Sequence, residues 1–326
     1  MSALAPALLD SLRRLLPAPR SGRLDATAEL ALQQVVTALC AALERGELAL
    51  DLEGPAPEGI AATDTDPDNE EGPATSAPGW PDAHLAALHA CGWLVEAAAL
   101  SDTLSDAPEA PVVRDGRWLR WRRWHQQLHH CTSALIARGQ ASLDPAPTNA
   151  ERRQALKRAQ AAGLDPQQCG AVDALLHHRL VLLSGGPGTG KTSTVVQMLA
   201  AALRLQPELR LQLAAPTGKA AARLGSAVAG GASDLEPDLA QRLQSLPSGT
   251  LHRLLEARGD GAGFRRGRSL PLELDLLVVD EVSMVDLPLM EALLDALPDT
   301  ARLLLVGDPG QLPPVGPGAV LLELCR

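Results

Sequence analysis

No apolar run in this chain approaches the ~20 residues needed to span a bilayer, which argues against a membrane protein. The first residues, MSALAPALLDSLRRLL, include acidic Asp10, and no cleavage-site pattern follows an apolar core. That start does not read as a signal peptide, so the expected location is the cytoplasm. Cysteine is sparse and dispersed, at Cys40, Cys91, Cys131, Cys169 and Cys325, with no C-x-x-C pair. An odd, scattered set points to free thiols in a reducing compartment. No internal repeat is present. An excess of positive charge is also lacking: the net charge is −10, which taken alone argues against nucleic acid as a ligand. The charge is uneven, however. Residues 1–150 hold 20 acidic and 11 basic side chains, a net of −9, and the remainder holds 19 and 18, a net of −1. The acidity therefore says little about ligands of the second half. What the chain does have is 46% hydrophobic residues over 326 positions, enough for real cores and for two domains of ordinary size.

The first part reads as mostly helical. Leu24, Ala28, Leu32, Val35, Val36, Leu39 and Leu43 recur at helical spacing within residues 24–50. Residues 53–82 are rich in Pro, Gly, Asp and Glu and read as a flexible acidic loop. Helical periodicity resumes over 83–100. Two β-prone runs within 111–124 flank Asp115 and Gly116, the signal of a hairpin, and a helix is expected over 125–138. A loop with Pro145 and Pro147 closes this domain, expected as residues 1–145. From about 164 strands and helices alternate. Strands are expected at 180–184, 211–215, 274–280 and 302–308, with helices at 166–178, 191–204, 218–228, 287–296 and 318–325. Short apolar strands separated by helices indicate an α/β fold, a parallel sheet with helices on both faces, over residues 146–326.

Within that second domain Gly185, Gly186, Pro187, Gly188, Thr189, Gly190, Lys191 and Thr192 fit G-x-x-x-x-G-K-[ST], between a strand and the start of a helix. Glycines let backbone N–H groups wrap phosphates, and the helix N-terminus adds positive potential. Ser193 extends the same first turn and joins the expected nucleotide contacts. Lys191 is expected at the β- and γ-phosphates of ATP, and the Thr192 hydroxyl on Mg2+. About ninety residues on, the strand at 276–279 delivers Asp280 and Glu281 to its C-terminal end. Asp280 is expected to hold Mg2+, and Glu281 to orient or deprotonate the attacking water.

Further runs follow in order: AAPTGKAA at 214–221, TLHRLL at 250–255, DEVSMVD at 280–286, GDPGQLPPV at 307–315 and GAVL at 318–321. Together with the glycine loop they resemble the first RecA-like motor domain of superfamily 1 helicases, in particular the RecD family, the alpha subunits of exodeoxyribonuclease V (the RecBCD complex). The resemblance covers about residues 164–326. It implies a RecA-like P-loop NTPase domain and an ATP-dependent DNA helicase subunit of 5′ to 3′ polarity. Its work would be double-strand break repair by homologous recombination, and DNA degradation. It matches Gln168 to the glutamine that recognises adenine, and Gln311 to the one that senses the γ-phosphate and couples it to DNA. Thr217, Gly218 and Lys219 match the loop on the single-strand backbone, and Thr250 and His252 a second DNA-side segment. As bare residues, Gln168 also reads as a polar helix start and His252 as a packing residue.

By the same resemblance the first domain docks onto a RecC-like subunit, with a RecB-like subunit completing a heterotrimer. Trp118, Trp121 and Trp124 with Arg114, Arg117, Arg120, Arg122 and Arg123 read either as a nucleic-acid patch or as core and protein interface. His125, His129 and Cys131 lack a second ligand pair for a metal. The sequence holds one P-loop, and the expected second motor domain would lie beyond Arg326. Two other readings stay open: a stand-alone RecD-like or conjugative helicase of the superfamily, and a non-motor subunit that binds ATP as a switch.

Overall fold

The computed structural model describes residues 4–16, 24–58, 60, 79–100, 110–186, 188–259, 263–308, 310, 316 and 318. They form two compact units, Met1–Leu128 and His129–Arg326. Pro187, Gln311 and the helix expected at 318–325 lie outside the described residues in whole or in part.

The first unit contains α1 (Leu4–Leu15), α2 (Ala26–Glu44), β1 (Leu50–Asp51), α3 (Asp82–Ala90), β2 (Leu94–Glu96), β3 (Val112–Asp115) and β4 (Trp118–Trp121), and α4 (Arg122–Gln140) begins in it. Asp25 caps α2 by accepting from the Ala28 amide, and the apolar stripe read from the sequence is its buried face: Leu32, Val35, Val36 and Leu39. By length and composition α2 is apolar enough to cross a membrane. Here that apolarity serves the core, where α2 packs with Leu88, Trp93, Val112, Leu119 and Trp121. The expected hairpin is present as β3 antiparallel to β4, with Asp115 paired to Trp118. Its two turn residues are therefore Gly116 and Arg117, one position later than the Asp115 and Gly116 signal. Gly116 has φ +58, which a two-residue turn favours at glycine. The sheet is larger than the hairpin, in the order β1-β4-β3-β2 with β2 parallel to β3. The helix expected over 83–100 ends at Ala90, and Leu94 and Val95 are strand residues instead. Of the acidic segment, Ile60 and Trp80 are buried in the core, so its two ends are anchored; 59 and 61–78 fall outside the described residues.

The second unit takes the last part of α4, then α5 (Asn149–Ala161), α6 (Pro166–Leu175), β5 (Leu180–Ser184), α7 (Lys191–Leu205), β6 (Leu211–Ala215), α8 (Gly218–Gly231), α9 (Pro237–Gln244), β7 (Ser248–Thr250), α10 (Leu251–Leu254), β8 (Leu276–Val279), α11 (Leu287–Ala296) and β9 (Arg302–Gly307). Arg138 on α4 explains why that helix end belongs here. Its buried guanidinium donates to the carbonyls of Leu297, Pro298 and Ala301. Burial draws its pKa down from the usual arginine range. Helix α5 opens on a capping box, Thr148 with Glu151. It is tied to α6 by Arg152, whose guanidinium meets both oxygens of Asp173 at 2.6 Å.

The five strands are all parallel, in the order β5-β9-β8-β6-β7. Every residue of β8 and β9 is buried, so both faces of the sheet are covered. Leu276, Val278, Leu304 and Val306 join the core formed with α5 to α9. Leu277, Val279, Leu303 and Leu305 alternate with them and are equally buried. Helix α11 is buried along Leu287, Leu289, Met290 and Leu293. This is the expected α/β architecture, and its consequence is a C-terminal sheet edge at which five loops converge.

Candidate functional site

Each of those five loops carries residues singled out from the sequence. In sheet order, β5 leads to the glycine loop, β9 to Asp308, β8 to Asp280 and Glu281, β6 to Thr217 and β7 to Thr250. Ligands of open α/β sheets bind at this edge. A cavity of about 440 Å3 opens there, lined by Gly188, Thr189, Gly190, Lys191, Thr192, Arg223, Asp280, Glu281, Gly307 and Asp308.

Gly188 and Gly190 both have φ +75, and Gly190 caps α7 in that left-handed conformation. A Cβ at Gly190 would come within 2.6 Å of the Gln168 side-chain amide. The dihedral favours glycine there, and any larger residue would also have to displace the Gln168 amide. Gln168 itself is fastened at both ends of its amide. Its Oε1 accepts from the Asp165 amide and its Nε2 donates to the Thr189 carbonyl, 3.1 Å away. It couples the cap of α6 to the glycine loop. Lys191 folds back over the loop, its Nζ donating to the carbonyls of Gly185 and Gly186 at 2.5 and 2.6 Å. Thr192 and Ser193 are exposed in the first turn of α7. Thr192 lines the cavity, whereas Ser193 lines a different one with Arg158, Gln197 and Arg204.

Across from the lysine, the Asp280 amide is held by the Ala214 carbonyl of the neighbouring strand, and its Oδ1 accepts from the Glu281 amide at 2.9 Å. Glu281 has φ 54 and ψ 41. A left-handed glutamate carries strain of about 1–3 kcal/mol, of the kind stored at functional positions. The turn swings its carboxylate toward α8, where Arg223 Nη2 donates to Glu281 Oε1 at 2.9 Å. Arg223 and Asp308 are residues of this cavity that the sequence reading gave no role. Asp308 is buried, and its Oδ1 accepts from the Gly310 amide.

The second group of expected residues lies at the other end of the same sheet edge. Ala215 and Thr250 are paired in register on β6 and β7, which sets the loop after β6 beside the start of α10. Thr217 and Thr250 are both helix N-caps, accepting from the amides of Ala220 and Arg253. Each hydroxyl keeps its proton for an outside acceptor. Gly218 and Lys219 are exposed. His252 is also exposed, its ring tilted against Phe264 with centroids 5.7 Å apart.

Elsewhere the expectations sort as follows. A cavity of about 500 Å3 at the opposite end of the strands is lined by Arg179, Gln206, Asp275 and Arg302 and contains none of the motif residues. Among the described residues no group of three His, Cys, Asp or Glu side chains is placed to hold a metal, His125, His129 and Cys131 included. Cys40, Cys91, Cys131 and Cys169 are free and buried, and burial pushes the Cys131 thiol up to about 12. On the hairpin, Trp121 and Arg120 are buried. Arg117 lies 5.2 Å over the Trp118 ring, and Arg123 5.2 Å over Trp124.

A cradle of backbone N–H groups, an ammonium and two oxygen ligands facing a carboxylate is chemically fitted to a polyphosphate with a hard cation. The family described as AAA domain matches residues 168–317. The RecBCD enzyme subunit RecD of Mycolicibacterium smegmatis is 42% identical over 250 residues, 75% of this chain and 42% of that protein. The ATP-dependent RecD2 DNA helicase of Deinococcus radiodurans is 47% identical over 167 residues, 50% of this chain and 20% of that protein. RecD of Haemophilus influenzae is 40% identical over 162 residues, 48% of this chain and 25% of that protein. The chain thus spans about two fifths of the length of the first of these relatives. The similarity to that relative covers three quarters of the chain, more than the residues 164–326 over which the motifs were read.

Proposed function

We propose that this RecD-like chain carries the first motor domain of an ATP-driven DNA helicase subunit, working 5′ to 3′ in a RecBCD-type complex for double-strand break repair and DNA degradation in the cytoplasm. The observation that carries the reading is one sheet edge with two kinds of loop. The glycine loop, Asp308 and the Asp280 and Glu281 pair follow β5, β9 and β8 and line one cavity, while Thr217 follows β6 and Thr250 ends β7 beside it.

In this reading the glycine loop and Lys191 hold the β- and γ-phosphates of ATP. Lys191 now bonds to its own loop carbonyls, and would exchange them for phosphate oxygens. The Thr192 hydroxyl and the Asp280 carboxylate are hard oxygen donors that line one cavity, a set that fits Mg2+. The bound metal would neutralise phosphate charge; the rest falls to the chain's own groups. Glu281 orients or deprotonates water, and Gln168, which keeps one amide N–H, meets the adenine. Gln311 would report the γ-phosphate. Thr217, Gly218, Lys219, Thr250 and His252 grip the single-strand backbone without reading sequence, as hydroxyls, amides and a lysine do. Residues 1–145 form the docking domain for a RecC-like partner, with Trp118 and Trp124 under their arginines as anchors.

A steady-state ATPase assay on the intact protein, with and without single-stranded DNA, tests the motor. Strong stimulation by DNA is expected, and turnover indifferent to DNA would favour the ATP-switch subunit. Co-purification with RecB- and RecC-like proteins tests the assembly. A second reading, a stand-alone helicase, has the 47% identity to RecD2 in its favour, and unwinding by the purified protein without partners would select it.

A further inference from the structure

We propose that Arg223 is a positioning residue that holds Glu281 back from its water until DNA occupies the loop after β6, so that hydrolysis is gated from the strand-binding side of the sheet. The proposal rests on the function proposed above and adds to it a residue that none of the motif readings assigns.

Geometry places Arg223 between the two halves of the edge. Strands β6 and β8 are hydrogen-bonded neighbours, with Ala214 opposite Val279, so the loops after them start side by side. One loop turns into α8, which carries Arg223. The other is the left-handed turn at Glu281. That turn fixes the Glu281 backbone through the Asp280 carboxylate and the Met284 amide, which leaves the side chain as the adjustable part. Arg223 Nη2 occupies Oε1 of this carboxylate at 2.9 Å, across 58 residues of sequence. A carboxylate that is to take a proton from water must present a free lone pair to it. Here the bond to the guanidinium leaves lone pairs open but turns the carboxylate toward α8, so what it restrains is the direction in which they point.

The same arginine is built to be drawn away. Its side chain is 67% exposed, whereas that of Glu281 is 18% exposed. Exposed ion pairs are weakly held, which suits a contact that must be exchanged. Lys219 and Arg223 are both exposed and stand four residues apart on α8, hence on one face, one helical turn from each other. A strand phosphate gripped at Thr217, Gly218 and Lys219 would therefore lie within reach of the guanidinium. Guanidinium groups take phosphate in a bidentate fork in preference to a single hydrogen bond. Exchange of Glu281 for a DNA phosphate frees the carboxylate in the same step that fills the track.

The test is the DNA-free and DNA-saturated turnover of the intact wild-type protein, Arg223→Ala, Arg223→Lys and the double variant Arg223→Ala with Glu281→Gln, with affinity for a fluorescent ATP analogue measured on each. The gate predicts that Arg223→Ala raises DNA-free kcat on the order of 5–20-fold, the lower range of coupling between sites, with KM for ATP within about twofold. DNA-saturated kcat should change little, so the stimulation ratio falls by the same factor. Arg223→Lys keeps the charge but loses the fork, and should lie between the two. The DNA-free gain should vanish in the double variant. An unchanged or lower DNA-free rate in Arg223→Ala, or a weakened grip on the ATP analogue, would overturn the gate and make Arg223 a surface ion pair or a phosphate ligand. Wild-type turnover indifferent to DNA would overturn the gate and the proposed function together.

Discussion

Gly190→Ala tests whether the glycine loop is as constrained as its geometry indicates. Position 190 has φ +75, and placing an L side chain there costs roughly 1–2 kcal/mol. The new Cβ would stand 2.6 Å from Gln168 Nε2 and displace it. The hydrogen bond from Gln168 to the Thr189 carbonyl would then be lost, about 1 kcal/mol more. Against this, alanine stiffens the unfolded chain by about 0.5 kcal/mol. The net loss is about 2 kcal/mol, which for a unit of about 200 residues lowers Tm by roughly 4–8 °C. Gly186→Ala is the control, since no atom lies within 4 Å of its would-be Cβ and its φ is not left-handed. The assay is thermal unfolding with and without a Mg-ATP analogue. At 100 times Kd the analogue should stabilise the wild type by about 2.7 kcal/mol. Gly190→Ala should lose that rise, because its loop N–H groups no longer converge. Equal melting of the two alanine variants, or an unchanged response of Gly190→Ala to nucleotide, would refute the reasoning.

Two further outcomes follow from single contacts. Arg152 holds the Asp173 carboxyl below the usual carboxylate range, so the pair's stabilisation is complete above the unfolded value of about 3.9 and is lost as pH falls through the lower folded value. Asp173→Asn should cost ~1 kcal/mol near neutrality, discounted because Arg152 is partly exposed, and denaturant titrations should show the gap to wild type shrinking in acid; a gap constant with pH would contradict it. Lys219→Ala should weaken single-stranded DNA binding alike for all sequences and flatten the logarithmic salt dependence by about 0.7; an unchanged slope in anisotropy titrations would take Lys219 off the track.

The elements that were legible in the sequence are those whose signal is local. Strands β5 and β6 and helix α11 stand where the apolar runs place them, because a buried parallel strand needs only a short apolar run between breakers. The glycine loop and the Asp280 and Glu281 pair are contiguous motifs and were equally plain. Short or polar elements were not read: α5, α9, β7 and α10 were missed, although Thr148 and Glu151 spell out the capping box that opens α5. Leu94 and Val95 were taken into a helix because two adjacent apolar residues satisfy either period. Arg223 could not be found this way at all. Its partner is 58 residues distant, and only the pairing of β6 with β8 brings the two loops together. The cap roles of Thr217 and Thr250 were likewise invisible beside the DNA-side roles expected of them.

The central claim is that Lys191 and Glu281 divide binding from hydrolysis in one nucleotide site. The most direct measurement pairs Mg-ATP affinity with DNA-stimulated turnover for Glu281→Gln and Lys191→Ala in the intact protein. Glu281→Gln keeps the size and hydrogen-bonding reach of the side chain but removes the base. It should bind Mg-ATP nearly as the wild type does and hydrolyse it on the order of 10²-fold more slowly. Lys191→Ala should lose both binding and turnover. Normal turnover in Glu281→Gln, or unimpaired nucleotide binding in Lys191→Ala, would contradict the account.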